Sequence, residues 1–263
     1  MPSIVVAGAS RGLGLEFVKQ LLAEGNVVFA LVRDPAKSAS LASIQDKNLH
    51  VFKADVTDPV ALKAAAQATA DVTGGSLDIL IHNAAYQNDA HAFHTITEFS
   101  SDTELIEDFN KTWHTNVIGP ILTINAFLPL LRKGTTKKIF TLWSGAGEPA
   151  FTVASEFVGR AAYCVSKCAL DMVNVKYALA LKDEGFICVA ISPGVVNTAE
   201  APPPPEAMPF ITKQVQGFVN VNPNWKGPFE PNESVELMLK VLHNLRPEHN
   251  GQTLSHWGNK EWL

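Results

Sequence analysis

Tyr163 and Lys167 stand four residues apart, one helical turn, so their side chains share a face. A phenol titrates near 10, too high for ready proton exchange at neutral pH. An ammonium beside it stabilises the phenolate and draws that value down. The pair therefore suits general acid–base work on a carbonyl or an alcohol. Alone, the spacing also fits an amphipathic helix with a solvated lysine. Two further residues add weight. Ser144 is read as closing the apolar run that begins at Ile139, which puts a hydroxyl at the carboxyl edge of a strand. Asn116 falls inside a helical pattern that its propensity does not favour. Ser155 is an alternative hydroxyl. Thr141 points opposite to Ser144 by strand alternation and is set aside.

A second group would hold an anion. Gly8, Gly12 and Gly14 form G-x-x-x-G-x-G, completed by Ser10, Arg11 and Leu13, between a strand and a helix. Glycines let the backbone approach a pyrophosphate, and the helix start supplies N–H donors and the positive dipole end. The spacing differs from G-x-G-x-x-G, and a tight turn is the plain alternative. The second strand then selects the nicotinamide. Val32 stands where an acid would hold the ribose 2′-hydroxyl of NAD, and Arg33 follows it. With Arg11, two guanidinium groups suit a 2′-phosphate, so NADPH is expected. A register shift of two would make Asp34 the acidic ribose partner and restore NADH.

The elements that must position these residues follow a strand–helix rhythm. Strands are expected at residues 3–7, 27–32, 49–54, 77–81, 138–142, 186–191 and 252–255. Helices are expected at 15–23, 58–72, 103–132 with a kink at Gly119-Pro120, 161–181 and 234–244. Strands that are apolar on both faces imply an α/β, Rossmann-type, doubly wound parallel sheet in one domain, with helices on both faces. Residues 1–200 read as the cofactor and catalytic core. The Pro- and Asn-rich stretch 201–231 reads as a substrate lid at the carboxyl edge, and 232–263 as a closing helix and strand.

The set resembles the short-chain dehydrogenases/reductases over residues 3 to about 198. The resemblance rests on the glycine loop, Asp55-Val56, Asn83-Ala84-Ala85, Asn116, Ser144, Tyr163/Lys167 and Pro193-Gly194, in order and spacing. Ala-Ser-Arg-Gly-Leu-Gly-Leu, Val-Arg-Asp-Pro-Ala-Lys and Asn-Val-Ile-Gly-Pro are similar to sniffer-like NADPH-dependent carbonyl reductases. Residues 251–263 are similar to fungal members, some of them ketoreductases. The resemblance implies that Tyr163 donates the proton, that Lys167 lowers its pKa and binds the nicotinamide ribose, and that Ser144 orients the carbonyl. It implies that Asn116 holds a relay water. Asp55 and Val56 would lie by the adenine, Asn83 and Ala84 by its ribose and backbone. Pro193, Gly194, Val196 and Thr198 would lie along the nicotinamide side. Three departures stand out. Trp143-Ser144 replaces Ser-Ser, and Ala85 replaces a glycine. Nineteen positions separate Ser144 from Tyr163, which implies an insertion within 145–160 lining the cleft.

Composition narrows the partners. The chain has 263 residues, 46% hydrophobic, and a formal net charge of −5, which argues against a general nucleic-acid binder. The longest apolar runs are strand-sized, so no membrane span is expected. The start MPSIVVAGAS enters a strand pattern with no basic region before it, so no signal peptide and a cytoplasmic location are expected. Cys164, Cys168 and Cys188 form neither a disulfide framework nor a finger, and are read as core thiols with no metal. His91 and His94 are read as a surface loop. Phe218, Trp225 and Phe229 could pack an aromatic substrate or anchor the lid. The expected partner is a small carbonyl compound, an aromatic one included. A homodimer or homotetramer through the long helices is compatible with the family. The competing readings are a nucleotide sensor without turnover and an NAD-dependent alcohol dehydrogenase.

Overall fold

Short β-branched runs bounded by glycine and polar turns make strands, and the structure, a computed structural model that describes residues 1–199 and 202–263, arranges them in one parallel sheet. The strands are β1 (Ser3–Ala7), β2 (Val27–Val32), β3 (Leu49–Lys53), β4 (Ile79–His82), β5 (Lys138–Leu142), β6 (Ile187–Ser192) and β7 (Thr253–Ser255). Among the described residues the order is β3-β2-β1-β4-β5-β6-β7. The register aligns Ala7 with Leu31 and His82, and His82 with Thr141. The order reverses between β1 and β4, so a crevice opens at their carboxyl ends, where such sheets bind ligands.

Alternation along each strand divides the core in two. Ile4, Val6, Ile79, Ile81 and Phe140 pack on α1 (Gly12–Ala23) and α9 (Pro231–His243). Val5, Ala7, Leu80 and Ile139 pack on α3 (Pro59–Thr73), α5 (Gly119–Leu131) and α7 (Ala161–Ala180). The short α2 (Ala39–Ala42) adds Leu41 to the first layer. Local chemistry sets the helix ends. Asp58 accepts from Val60 N and Ala61 N at 2.9 and 3.1 Å, with Pro59 at the first position, and left-handed Gly74 (φ 70°) ends α3.

Several expected bounds move. The fourth and sixth strands run one residue further, to His82 and Ser192, and β5 stops at Leu142. Ser144 is therefore beyond the strand. The helix expected over 103–132 is α4 (Asp102–Trp113), then a π-helical turn (His114–Ile118), then α5. The irregularity is thus a widened turn centred on Asn116. Pro120 sits in the first turn of α5, where its missing N–H costs little. By length and mean hydropathy of 1.2 the stretch Asp102–Leu131 is long and apolar enough to cross a membrane, longer than the strand-sized runs expected. Half of that window is buried in the fold, as in a core helix.

The two segments expected over the cleft are not bare loops. Residues 145–160 hold a single turn at Gly145–Gly147 and α6 (Pro149–Ala154). Within 202–231 lies α8 (Met208–Val221), while Ala201, the expected first lid residue, and Glu200 are outside the described residues. α8 seats on α6: a Cβ on Gly217 would meet the Ser155 carbonyl oxygen at 2.0 Å, and Phe151 stacks on Phe218 at 6.0 Å.

Phe140 is fully buried where the sheet meets α1 and α9. Phe140→Ala is expected to cost about 3–5 kcal/mol, read as a lower urea midpoint at unchanged slope.

Candidate active site

β1 delivers its chain directly into the glycine loop. Gly8 N and Ala9 N both reach back to Leu31 O, at 3.0 and 3.2 Å. From β4, Asn83 N and Ala84 N donate to Ala7 O at 3.0 and 2.8 Å, and Asn83 Nδ2 donates to Gly8 O at 2.8 Å. Two glycines make this approach possible. A Cβ on Gly8 would lie 2.7 Å from the Ala84 backbone, and one on Gly14 would lie 2.0 Å from Gly8 O. Gly8 and Gly12 also have φ of 85° and 55°. Arg11, the N-cap of α1, makes no side-chain cap bond, and the first turn has no acidic residue. The leading amides of α1 are thus not side-chain capped and carry the dipole's positive end. Thr198 stands opposite Gly12, 3.7 Å from where its Cβ would be. This cradle fits a pyrophosphate.

Around it, the expected cofactor residues take definite places. Ser10 in the loop and Leu13 in the first turn of α1 are half-buried. Arg33, past the end of β2, is exposed. Asp34 is turned onto its own backbone, accepting from Ala36 N at 3.1 Å, with Lys37 Nζ at 3.7 Å. Asp55 likewise accepts from Thr57 N and Oγ1, and buried Val56 packs on Gly119. Pro193 O accepts from Ser234 Oγ at 2.8 Å, Gly194 (φ 78°) faces the ring of His256, and Val196 bridges to Phe229.

Ser144, Tyr163, Lys167 and Asn116 meet at the ends of β4 and β5. Ser144 caps the turn Gly145–Gly147 and accepts from Ala146 N at 3.2 Å. Its hydroxyl lies close enough to Tyr163 to draw the phenol's pKa down. Asn116 is buried: Oδ1 accepts from Tyr86 N at 2.7 Å, and Nδ2 donates to Tyr86 O at 2.8 Å and Ser166 Oγ at 3.0 Å. Both amide protons are thus spent on holding the loop after β4 against α7. Buried Lys167 donates from Nζ to Leu142 O at 2.7 Å, 5.5 Å from the centre of the Tyr163 ring.

The electrostatics reverse one expectation. Tyr163 lies above the ordinary phenol value, not below it. Burial pushes it up, and the Ser144 side chain and the charge of Arg160 offset only part of that. Burial itself lowers Lys167 to about 7. Tyr163 is therefore a protonated acid at neutral pH, and Lys167 can hold or release a proton there.

Other residues sit differently from their sequence reading. Ser155 donates to Phe151 O and is buried under α8, so it is no cleft hydroxyl. His91 is not on the surface: it is buried between Asp108 Oδ2 at 3.0 Å and Glu104 Oε1 at 2.8 Å. Burial lowers its pKa, but those hydrogen bonds and charges outweigh it and raise the value. Cys188 is buried, whereas Cys168 is exposed and Cys164 half-buried. Among the described residues no His, Cys, Asp or Glu group could hold a metal. Phe218 packs on Phe151 and Trp225, and Phe229 on His256, so these rings anchor the lid.

Three groups escaped the sequence. Arg160 precedes α7 in the left-handed region (φ 57°) and lines a small cavity with Tyr163, His91 and Asp108. His82 is buried at the end of β4, and its Nε2 has no hydrogen-bond partner among the described residues. Burial and then the charge of Lys167 depress it to about 3. His256 is likewise buried, which lowers it to about 4. Only His82, directly after the apolar run 77–81, carries a hint in the sequence.

Gly14→Ala is expected to cost about 3 kcal/mol, because its Cβ would meet backbone. Gly25→Ala (φ 81°, open space) should cost only about 1 kcal/mol of backbone strain. Comparison of urea midpoints decides. A second expectation concerns pH. His82 and His256 fold neutral, with values depressed from 6.5 to about 3 and about 4. Below 6.5 the unfolded chain binds protons that the folded chain refuses, so stability present above 6.5 is lost as pH falls. His91, being raised, contributes fully below 6.5 and is flat there, and Glu104, lowered from 4.5 to about 2, enters only below 4.5. Between pH 6 and 5 unfolding should therefore become easier by roughly 2 kcal/mol, measured by urea titration at each pH.

Comparison with known proteins agrees with this geometry. The family model for short chain dehydrogenase matches residues 2–206. The short chain dehydrogenase virK of Hypocrea virens is 38% identical over the full length of both chains, as is the short-chain dehydrogenase/reductase atnB of an Arthrinium species. Among solved structures, NADPH-bound carbonyl reductase from chicken fatty liver superposes with a TM-score of 0.81 at 30% identity, covering 100% of this chain and 99% of that one. The glycine cradle at the sheet's switch point and the Ser144–Tyr163–Lys167 cluster at its edge are thus carried by a chain that belongs to the short-chain dehydrogenases, a family of oxidoreductases.

Proposed function

We propose that this chain reduces a ketone or aldehyde, taking hydride from NADPH and a proton from Tyr163. The carrying observation is a phenol kept protonated by burial beside Ser144, 5.5 Å from the Nζ of a buried lysine depressed to about 7. The likeness to an NADPH-bound carbonyl reductase supports the same reading. The cradle of Gly8, Gly12 and Gly14 would hold the pyrophosphate. Arg11 and Arg33 would hold the 2′-phosphate, a role favoured over an acidic ribose partner because Asp34 is committed to its own turn. Asp55, Val56, Asn83 and Ala84 would line the adenosine side; Pro193, Gly194, Val196 and Thr198 the nicotinamide side. When bound, the cofactor supplies the hydride to the carbonyl carbon.

The chain's own residues manage the proton and the oxygen. Ser144 donates a hydrogen bond to the carbonyl oxygen and fixes its direction. Tyr163 transfers its proton to that oxygen as charge builds there, which general acids do for about 10²–10⁴ in rate. Lys167, lowered by burial to about 7, passes a proton to the phenolate left behind. Asn116 keeps the π-helical turn open beside them, where the relay water would sit. The substrate is a small carbonyl compound placed beneath α6 and α8. An exposed apolar stripe on α7, Val165, Met172 and Leu179, supports a homodimer through that helix.

NADPH oxidation with aromatic ketones, quinones and aldehydes is expected, and Tyr163→Phe should lower kcat about 10²-fold or more with NADPH still bound. Arg33→Ala should weaken NADPH about 10–100-fold and leave NADH unchanged, as loss of a charged hydrogen bond does. Full activity in Tyr163→Phe sinks the acid assignment. Binding without turnover on the whole panel favours a sensor, and tighter NADH binding favours alcohol oxidation with NAD.

A further inference from the structure

The turn that carries Ser144 is held from two sides. On one side a Cβ on Gly147 would lie 2.8 Å from the Lys167 carbonyl carbon, and Trp143 Nε1 donates to Lys167 O at 2.6 Å. This side presses the turn onto α7. On the other side stands Trp262, far along the chain. Its Cβ lies 2.7 Å from where a Gly145 side chain would begin, and its indole meets that of Trp143 edge-on at 5.0 Å. Its Nε1 donates to Glu148 Oε2, at the start of α6. Trp262 is 7% exposed, as is Leu263, and both join Trp143, Phe151 and Phe218 in one apolar cluster. The segment after β7 is built to deliver the indole there. Asn259 takes Ser255 Oγ at 2.7 Å and Glu261 N at 2.9 Å, and Trp257 Nε1 donates to Leu263 O at 3.3 Å.

The geometry points to Trp262 as a positioning residue that acts through Ser144. The indole wedges the Gly145–Gly147 turn against α7 and so sets the direction of the serine hydroxyl toward Tyr163 and the substrate oxygen. Because Gly145 has no side chain, the wedge sits directly against the residue next to Ser144. Phe218 of α8 shares the cluster, so the lid helix and the wedge pack in one apolar core. This inference rests on the carbonyl-reductase reading of the site, and it concerns which residue sets the serine rather than which residues react.

A double-mutant cycle tests it. Trp262→Ala should lower kcat about tenfold with the KM for NADPH within about twofold. In a Ser144→Ala background the same change should cost nothing further, since residues acting through one group are not additive. The Ser144 side chain draws the Tyr163 pKa down, so Trp262→Ala should also move the alkaline limb of kcat to higher pH, which a smaller folded fraction cannot do. Trp262→Phe keeps the wedge and should restore most of the rate. Glu148→Leu should lose part of it, and Glu148→Gln, which still accepts from the indole, should not. These variants carry the test where Trp262→Ala does not fold. Hydrogen exchange gives a readout without turnover: amides of 144–148 should exchange faster in the Trp262 variants while those of β6 do not. Wild-type kcat in Trp262→Ala, an equal loss in the Ser144→Ala background, or unchanged exchange at 144–148 overturns the inference. Activity surviving Tyr163→Phe, by contrast, overturns the reading of the site and leaves the exchange result standing.

Discussion

The hydrogen bond from Asn83 to the Gly8 carbonyl is the constraint on which the site depends. It joins the turn after β1 to the turn after β4 at the point where the strand order reverses. It forms only because neither Gly8 nor Gly14 has a side chain: Cβ atoms there would overlap Ala84 and the Gly8 oxygen. A parallel sheet puts all its carboxyl ends on one edge. The glycines convert that edge into a crevice with a helix N-terminus at its floor. Every chemical group discussed is then placed relative to it by strand register.

Around Lys167 the problem is different, since polar groups must be buried without losing their partners. The widened turn at His114–Ile118 lets Asn116 reach both Tyr86 backbone atoms and Ser166. Lys167 takes the Leu142 carbonyl, and Trp143 takes the Lys167 carbonyl. Helix α7 is thereby tied to the end of β5 by its own backbone and side chain. Burial without full solvation is what brings the lysine toward neutrality and keeps the tyrosine protonated. The same burial leaves His82 and His256 neutral.

Much of this was legible in the chain. The strand–glycine–helix opening, the capped α3 and the four-residue spacing of Tyr163 and Lys167 are local patterns, and local geometry reproduces them. The bounds that moved lie where backbone continues past its apolar run, as at His82, or stops before it, as at Leu142. His91 read as surface because its loop is polar, yet Asp108 and Glu104 from α4 bury it by satisfying both ring nitrogens. The lid aromatics were undecided between substrate and anchor, and pairing with Phe151 and His256 makes them anchors.

The sequence by itself determined the α/β architecture, the glycine cradle and the shared face of Tyr163 and Lys167, because each follows from periodicity or spacing within one or two turns of chain. The tertiary structure alone decided how those side chains rest. It raised Tyr163 where a neighbouring lysine would lower it, turned Lys167 onto a strand carbonyl, and set Trp262 against Gly145. These outcomes depend on desolvation and on contacts between segments distant in sequence, and no local pattern encodes either.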